Sequence, residues 1–362
     1  MSLALYIHYP YCKSRCPYCD FFRSLKPKTY DEASLISHYK QNIAYFSSLL
    51  GQRTLTSVFF GGGTPSLLSS ESVGSILDTV AQHFSIAPHA EISLEANPNT
   101  YEQQKFKDFH LAGINRLSLG VQALNPADLK FLGRTHTLND ALFAIETGLN
   151  TFDKFSIDLI YSRPNQTWSS WQQELDTALS FGLKHISLYQ LSIEEGTFFY
   201  RKGIKVLDEN SSASLYENTI SYLRKHGFER YEVSNFATSE YHQSSHNLVY
   251  WHGDDYIGIG EGAHGRLHLD HKIVATVDGK ISETLSPLER AEELLFMGLR
   301  LKEGINFERF LQNSGVNFFD FVDNLAIKRL AKLNLICYDA ANIRLTDKGF
   351  LLLDKIVLEM LG

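Results

Sequence analysis

As far as Gly227, the chain repeats one pattern, in which a short apolar or β-branched run is followed by a segment with apolar residues at helical spacing. The predicted strands are residues 3–8, 54–60, 91–96, 116–120, 155–160 and 185–190. Thr100 and Gln103 predict a capping box for the helix after the third strand. Six strand-then-helix units predict a parallel sheet with helices packed on it. A doubly wound sheet and a partial barrel fit this pattern equally well.

Three of the four cysteines follow the first predicted strand in the spacing C-x3-C-x2-C. Thiolates this close together hold iron–sulfur clusters, normally four at a time. Cys12, Cys16 and Cys19 supply three, so one iron of such a cluster would stay open to an outside ligand. The alternatives are a zinc site completed by His8 or Asp20, and a disulfide in a loop short enough to strain it. A reducing compartment disfavours the disulfide.

These cysteines, placed directly after an N-terminal strand, resemble the motif of the radical S-adenosylmethionine (SAM) superfamily. The longer string at residues 16–21, Cys-Pro-Tyr-Cys-Asp-Phe, is similar to the oxygen-independent coproporphyrinogen oxidases and their relatives. The resemblance implies a [4Fe–4S] cluster on Cys12, Cys16 and Cys19, with SAM bound at the open iron. It also implies the α/β fold of a partial (β/α)6 radical SAM barrel, in which chemistry takes place at the C-terminal ends of the strands.

Further segments resemble the parts of that family that contact SAM. Residues 61–65, Gly-Gly-Gly-Thr-Pro, are similar to the glycine motif that binds the amino group of the methionine moiety, although alone they fit a tight turn. Polar residues also stand near strand ends, where each by itself would be read as part of a surface salt bridge. The implied SAM contacts are Tyr6, Tyr18, Gly62, Gly63, Thr64, Glu95, Gln122, Arg134 and Asp158.

Two features weaken the resemblance to the oxidases themselves. Those enzymes continue the motif to a fourth cysteine, where this sequence has Phe21, and they carry a longer segment before the cluster. Residues 246–251, His-Asn-Leu-Val-Tyr-Trp, instead resemble the H-N-x-x-Y-W signature of the heme chaperone branch, HemW. This implies heme near His246, and His264 in a glycine-rich loop is a second candidate ligand. The alternative is a turn histidine with Tyr250 and Trp251 in the core.

The leading hypothesis from the sequence is therefore a heme chaperone that binds a cluster, SAM and heme. It would pass heme to an acceptor hemoprotein, expected to be membrane-bound and respiratory, and would need a reductant for the cluster. The alternative is a coproporphyrinogen III dehydrogenase that uses a 5′-deoxyadenosyl radical for oxidative decarboxylation, so whether the protein is an enzyme stays open. A radical methyltransferase is a third hypothesis, disfavoured because Cys337, in an apolar context, is expected in the core.

Composition limits the partners and the compartment. The net charge of −7 argues against nucleic acid as a partner, and no apolar run approaches the ~18 residues of a membrane span. The first residues do not resemble a signal peptide, which predicts a cytoplasmic protein, with delivery at the inner membrane as a peripheral role.

Three regions are expected along the chain. Residues 1–230 would form the barrel with its cluster loop, and residues 231–285 a β-rich segment that carries the H-N-x-x-Y-W motif. Residues 286–362 would form a smaller α+β domain that is similar to a winged helix, with a helix over residues 287–301.

Overall fold

The computed structural model describes residues 2–27, 29–99 and 104–362. Its centre is a 12-stranded sheet in which six parallel strands are neighbours in the order of the chain, as predicted. These six strands and the two short strands of the cluster loop are β1 (Leu3–Tyr9), β2 (Tyr11–Cys12), β3 (Ser24–Leu25), β4 (Thr54–Gly62), β5 (Ser85–Ala96), β6 (Arg116–Gln122), β7 (Lys154–Tyr161) and β8 (His185–Gln190). Because the six strands are parallel, their carboxyl ends meet at one edge.

Helices connect these strands or follow the last of them, and the longer ones pack their apolar faces on the sheet. They are α1 (Glu32–Leu50), α2 (Ser70–His83), α3 (Phe106–Leu111), α4 (Pro126–Phe131), α5 (Leu138–Thr151), α6 (Trp168–Leu179), α7 (Phe198–Arg201) and α8 (Glu209–Lys225). In α1 the residues at helical spacing, among them Tyr39 and Phe46, are fully buried in the main core. The predicted cap at Thr100 and Gln103 lies outside the described residues. No helix in the described part of the chain is long and apolar enough to cross a bilayer.

The segment after the barrel extends the same sheet at both edges. Its elements are β9 (Glu229–Arg230), β10 (Asn235–Ala237), α9 (Ser245–Trp251), β11 (Asp255–Ile259), β12 (His264–Leu269), β13 (Lys272–Val277) and β14 (Lys280–Leu285). β10 pairs antiparallel with β8, whereas β11 pairs parallel with β1. Residues 231–234 connect β9 to β10, and within this connection the Glu232 carboxylate accepts a 3.0 Å hydrogen bond from the Ser234 amide.

The C-terminal region has a hydrophobic core of its own and a three-stranded sheet, in keeping with the expected α+β architecture. Its elements are α10 (Pro287–Gly298), β15 (Ile305–Asn306), α11 (Phe307–Ser314), α12 (Phe318–Phe321), α13 (Asn324–Lys332), β16 (Ile336–Tyr338), β17 (Asn342–Leu345), α14 (Asp347–Phe350) and α15 (Leu353–Leu361).

The expectation that Cys337 belongs to the core is wrong. Ile336 is 2% exposed, but Cys337, the next residue of β16, is on the surface. Successive side chains of a strand point to opposite faces, so an apolar neighbour does not bury a residue. The Cys337 Sγ accepts a hydrogen bond of 3.2 Å from Arg344 Nε.

Candidate functional site

The cluster loop, residues 10–27, begins where β1 ends. β2 and β3 pair within it, so that Cys12 lies opposite Leu25, and Cys12 is buried. Cys16 and Cys19 form a turn, closed by a 3.3 Å hydrogen bond from the Cys19 amide to the Cys16 carbonyl. All three thiols are free of disulfides. The short paired strands therefore fix the ends of the loop and leave the three sulfurs between them.

Each of the three sulfurs accepts a hydrogen bond from a different side chain. Thr64 Oγ1 lies 3.5 Å from Cys12 Sγ, and Arg134 Nη1 lies 3.3 Å from Cys16 Sγ. Arg23 Nε is closest, at 3.0 Å from Cys19 Sγ. Burial raises the pKa of the Cys12 thiol, while the hydrogen bond from Thr64 and the charge of Arg23 act in the opposite direction.

The sulfurs are not arranged for one metal ion. Within residues 2–27, 29–99 and 104–362, no group of three His, Cys, Asp or Glu side chains is arranged to hold a single ion. Zinc lies about 2.3 Å from each sulfur, so its thiolate ligands must nearly touch one another. A cluster spreads its thiolates over several irons and does not require that close approach.

A cavity of about 460 Å³ opens beside the cluster loop, at the carboxyl ends of the parallel strands. Of the residues implied as SAM contacts, all but Tyr6 line it. The predicted residues in its wall are Cys12, Cys16, Tyr18, Cys19, Gly62, Gly63, Thr64, Glu95, Gln122, Arg134 and Asp158. The fold thus brings together side chains that are up to 146 positions apart in the chain, from Cys12 to Asp158.

The glycines of the loop after β4 permit close packing that no other residue would allow. A Cβ on Gly63 would lie 2.5 Å from the Tyr11 carbonyl oxygen, and Gly62, at φ +106°, would meet the His8 ring at 2.6 Å. The Gly62 amide donates to Glu95 Oε2 at 3.2 Å. Glycine is required here because the loop lies directly against the cluster loop.

Two carboxyl groups in the cavity titrate near neutral pH. Burial, and next the charge of Asp158, raise the pKa of Glu95 to about 8. Burial also raises the pKa of Asp158 to about 6, opposed by hydrogen bonds from Ser187 and Ser118. Near pH 7 this pair therefore carries roughly one negative charge and one proton. A cation bound beside these groups would drive both to ionise.

Arg134 reaches across the cavity from the loop after α4. Besides Cys16 it donates to the Gly120 carbonyl at 2.9 Å and to the Asn97 side chain. Its Nε atom is buried and has no hydrogen-bond partner among the residues that the structure describes. An unpaired buried donor is costly, so this guanidinium is suited to an anionic or carbonyl ligand in the cavity.

Gln122 ends β6 with a positive φ of +72°, which is rare for a residue other than glycine. Such backbone costs on the order of 1–3 kcal/mol and persists where the surroundings enforce it. The bend places Gln122 in the cavity wall. Its Nε2 atom packs against Gly120, where an added Cβ would lie only 2.9 Å from that nitrogen.

Tyr6 lies outside the cavity. His8 Nε2 donates to the Phe22 carbonyl at 2.9 Å, so its Nδ1 accepts the Tyr6 hydroxyl at 3.0 Å. The Tyr6 ring stacks on Phe59, with centroids 6.2 Å apart. Tyr6 therefore supports the strand that leads into the cluster loop, and its predicted contact with SAM stays a prediction.

His246 is not brought to the cavity either. It lies on α9, is 1% exposed, and stacks on Phe59 at 4.9 Å. Its ring nitrogens bond to Ser57 Oγ at 2.8 Å and to the Tyr250 hydroxyl at 2.6 Å. Burial lowers the pKa of His246 to about 3, so the ring is neutral. An axial ligand needs a free nitrogen and room for the macrocycle, and this packing offers neither.

The other candidate histidine has a different environment. His264 begins β12 and is exposed. Burial lowers the pKa of His8, and the nearby His264 adds a smaller effect in the same direction. Gly262, two residues earlier, lies against the ring of Phe22, which is 50% exposed on the cluster loop.

Several cavity residues were missed by the sequence analysis. Arg23 follows Cys19 by four positions, and Asn97 follows Glu95 by two, so proximity to the motifs was their signal. Ser118 and Tyr189 line the wall from β6 and β8, but serine and tyrosine in strands are too common to single out. Phe21 is 67% exposed at the cavity, where the oxidases have a cysteine.

Comparison with protein families assigns both parts of the chain. The family model of the "Radical SAM superfamily" matches residues 6–178, and that of the "HemN C-terminal domain" matches residues 285–352.

Individual relatives match nearly the whole chain. "Radical S-adenosyl methionine domain-containing protein 1, mitochondrial" from Bos taurus is 36% identical over 99% of this chain and 87% of its own length. "Heme chaperone HemW" from Haemophilus influenzae is 33% identical, over 98% of this chain and 97% of its own. Among solved structures, coproporphyrinogen III oxidase (HemN) from Escherichia coli covers 99% of this chain and 89% of its own, with a TM-score of 0.82 and 21% identity. That likeness supports the fold.

Proposed function

Because this chain belongs to the radical SAM superfamily, and within it to the family of HemW and radical SAM domain-containing protein 1, we propose that it is a heme chaperone. It would bind a [4Fe–4S] cluster, SAM and heme, and deliver heme to an acceptor hemoprotein. The observation that supports this proposal most directly is the set of three free thiols that open onto one cavity.

Cys12, Cys16 and Cys19 would hold the cluster. Bound there, the cluster would supply an iron with an open coordination position and would accept one electron at a time from a reductant. The hydrogen bonds to all three sulfurs support this assignment, since such donors stabilise the negative charge on cysteine sulfur that ligates a cluster.

The cavity residues would bind SAM through complementary charges. The backbone carbonyls of the loop of Gly62, Gly63 and Thr64, with the carboxylate of Glu95, would accept hydrogen bonds from the amino group of the methionine moiety. Arg134 would pair with its carboxylate, which the unpaired buried Nε supports. Gln122 and Asp158 would contact the ribose or adenine, and Tyr18 would pack beside the cluster. Tyr6 would act through its contact with His8.

For heme, the motif at residues 246–251 keeps His246 as the first candidate ligand. In the packing described above its ring is closed off, so ligation would require α9 to shift and release the Tyr250 hydroxyl. His264 is exposed and would ligate heme without a rearrangement. Substituting each histidine in turn therefore distinguishes the two candidate ligands.

We further propose that residues 1–230, 231–285 and 286–362 act as barrel, connecting segment and C-terminal domain. The protein would work in the cytoplasm and meet its acceptor, a respiratory hemoprotein, at the inner membrane.

The test is an anaerobic heme titration of the reconstituted protein, followed by the Soret band, for wild type, His246→Ala and His264→Ala. We expect a saturable Soret shift in wild type that one of the two variants loses. Retention by both variants would exclude both histidines as ligands. Absence of the shift in wild type would count against the chaperone and lead to an assay of coproporphyrinogen turnover.

The cluster is tested separately by iron content and visible absorbance. Cys16→Ala should lose the iron–sulfur absorbance, while Cys337→Ala, the remaining cysteine, should keep it. Full retention of cluster iron by Cys16→Ala would overturn the cluster assignment.

A further inference from the structure

Arg23 is tied to the cluster loop by three hydrogen bonds. Its Nε donates to Cys19 Sγ at 3.0 Å, while Nη2 donates to the Cys19 carbonyl at 2.9 Å and to the Cys16 carbonyl at 3.3 Å. One guanidinium thus donates hydrogen bonds to both ends of the turn that carries two of the three thiols.

The charge of Arg23 is directed at this loop. Within the three described stretches of chain, no carboxylate oxygen lies within salt-bridge distance of its guanidinium. Arg23 is half-buried and lines the same cavity as the cysteines, so its charge is only partly screened by water.

The other two donors to the sulfurs differ in kind. Thr64 is neutral and more distant, at 3.5 Å from Cys12 Sγ. Arg134 divides its donors between Cys16, Asn97 and the Gly120 carbonyl, and it belongs to the proposed SAM site. Arg23 is the cation whose hydrogen bonds all go to the cluster loop.

We propose that Arg23 is a positioning residue that holds the Cys16–Cys19 turn and raises the reduction potential of the cluster. The proposal rests on the cluster assignment above. When the cluster takes up one electron from a one-electron reductant, the negative charge on iron, sulfide and cysteine sulfur increases. An N–H donor and a positive charge at Cys19 Sγ stabilise that reduced state more than the oxidised one.

The experiment measures the midpoint potential of the anaerobically reconstituted full-length protein. Dithionite titration in the presence of mediators, followed by the EPR signal of the reduced cluster, is applied to wild type, Arg23→Gln and Arg23→Lys. Arg15→Gln is the matched control, because Arg15 is an exposed cation of the same loop. Iron content is measured for every sample.

We expect Arg23→Gln to have a more negative midpoint than wild type and Arg15→Gln, with Arg23→Lys in between because it keeps the charge without the planar fork. Equal midpoints in wild type and Arg23→Gln at full iron content would overturn the inference. If Arg23→Gln loses iron while Arg15→Gln keeps it, the role of Arg23 in holding the Cys16–Cys19 turn is supported. The midpoint of Arg23→Lys then decides whether Arg23 also raises the reduction potential. A wild-type protein that binds no cluster would instead overturn the proposed function.

Discussion

Glu95 illustrates how one buried side chain links the site to stability. Its carboxyl group lies in the cavity wall beside Asp158, and its Oε2 accepts the Gly62 amide. Burial raises its pKa from 4.5 to about 8, so the folded protein holds a proton that the unfolded chain releases. The folded state therefore loses stability as the pH rises from about 4.5 to about 8.

We predict that Glu95→Gln raises the melting temperature of the cluster-free protein relative to wild type, by an amount that grows between pH 5 and pH 8. The glutamine cannot ionise, so it removes the cost of the buried charge. Differential scanning calorimetry across this range is the measurement. Asp158→Asn is the comparison: because the pKa of Asp158 is about 6, the gain from this variant should stop growing above about pH 6. A difference that does not vary with pH would contradict the prediction.

At the scale of elements, the H-N-x-x-Y-W motif forms a short helix that is anchored to the sheet. α9 starts at Ser245, and the His246 amide donates to Glu91 Oε1 at 3.3 Å. The same buried carboxylate pairs with Arg116 at 3.4 Å and Lys154 at 3.5 Å. Glu91 thus joins the start of α9 to β5, β6 and β7.

We predict that Glu91→Gln lowers the free energy of unfolding by about 3–5 kcal/mol, because it leaves the buried Arg116 guanidinium without its counter-charge. The measurement is urea unfolding at pH 7. Glu71→Gln, at an exposed position in the first turn of α2, is the control and should change stability by roughly 0.5 kcal/mol or less. Equal midpoints for the two variants would show that the ion pair does not hold the elements together.

At the scale of the whole molecule, the barrel and the C-terminal region have separate hydrophobic cores, and Arg230 connects them. This 5% exposed residue of β9 donates to Tyr216 at 2.6 Å and to Asp347 at 3.0 Å. Its guanidinium lies 3.6 Å from the centre of the Phe350 ring. The C-terminal helices are thus docked by a charged side chain whose partners lie on both sides.

We predict that Arg230→Ala increases amide hydrogen exchange in α14 and α15 by about tenfold. The reason is that the variant loses a charge-assisted hydrogen bond that contributes about 1.5 kcal/mol or more to the stability of these helices. Exchange in β4 to β7 should be unchanged. Arg329→Ala, which removes an exposed pair with Glu359, is the control. Faster exchange spread evenly over both cores would indicate global destabilisation and refute a local docking role.

The sequence by itself determined the six parallel strand–helix units and the cluster motif, because both depend on local patterns. Apolar spacing located the six parallel strands, with each predicted carboxyl end within two residues of the observed one, although β5 begins six residues before its predicted start. The tight cysteine spacing predicted a common site for Cys12, Cys16 and Cys19, and strand-end position placed Glu95 and Asp158 at the same edge.

Only the tertiary structure decided what surrounds each side chain. It exposed Cys337, closed the ring of His246 between Ser57 and Tyr250, and directed Arg23 onto the Cys19 sulfur. These outcomes depend on contacts between residues that are up to 189 positions apart, as for Ser57 and His246. Spacing along a chain fixes which face a residue occupies, whereas burial and hydrogen bonding depend on which other element packs against that face.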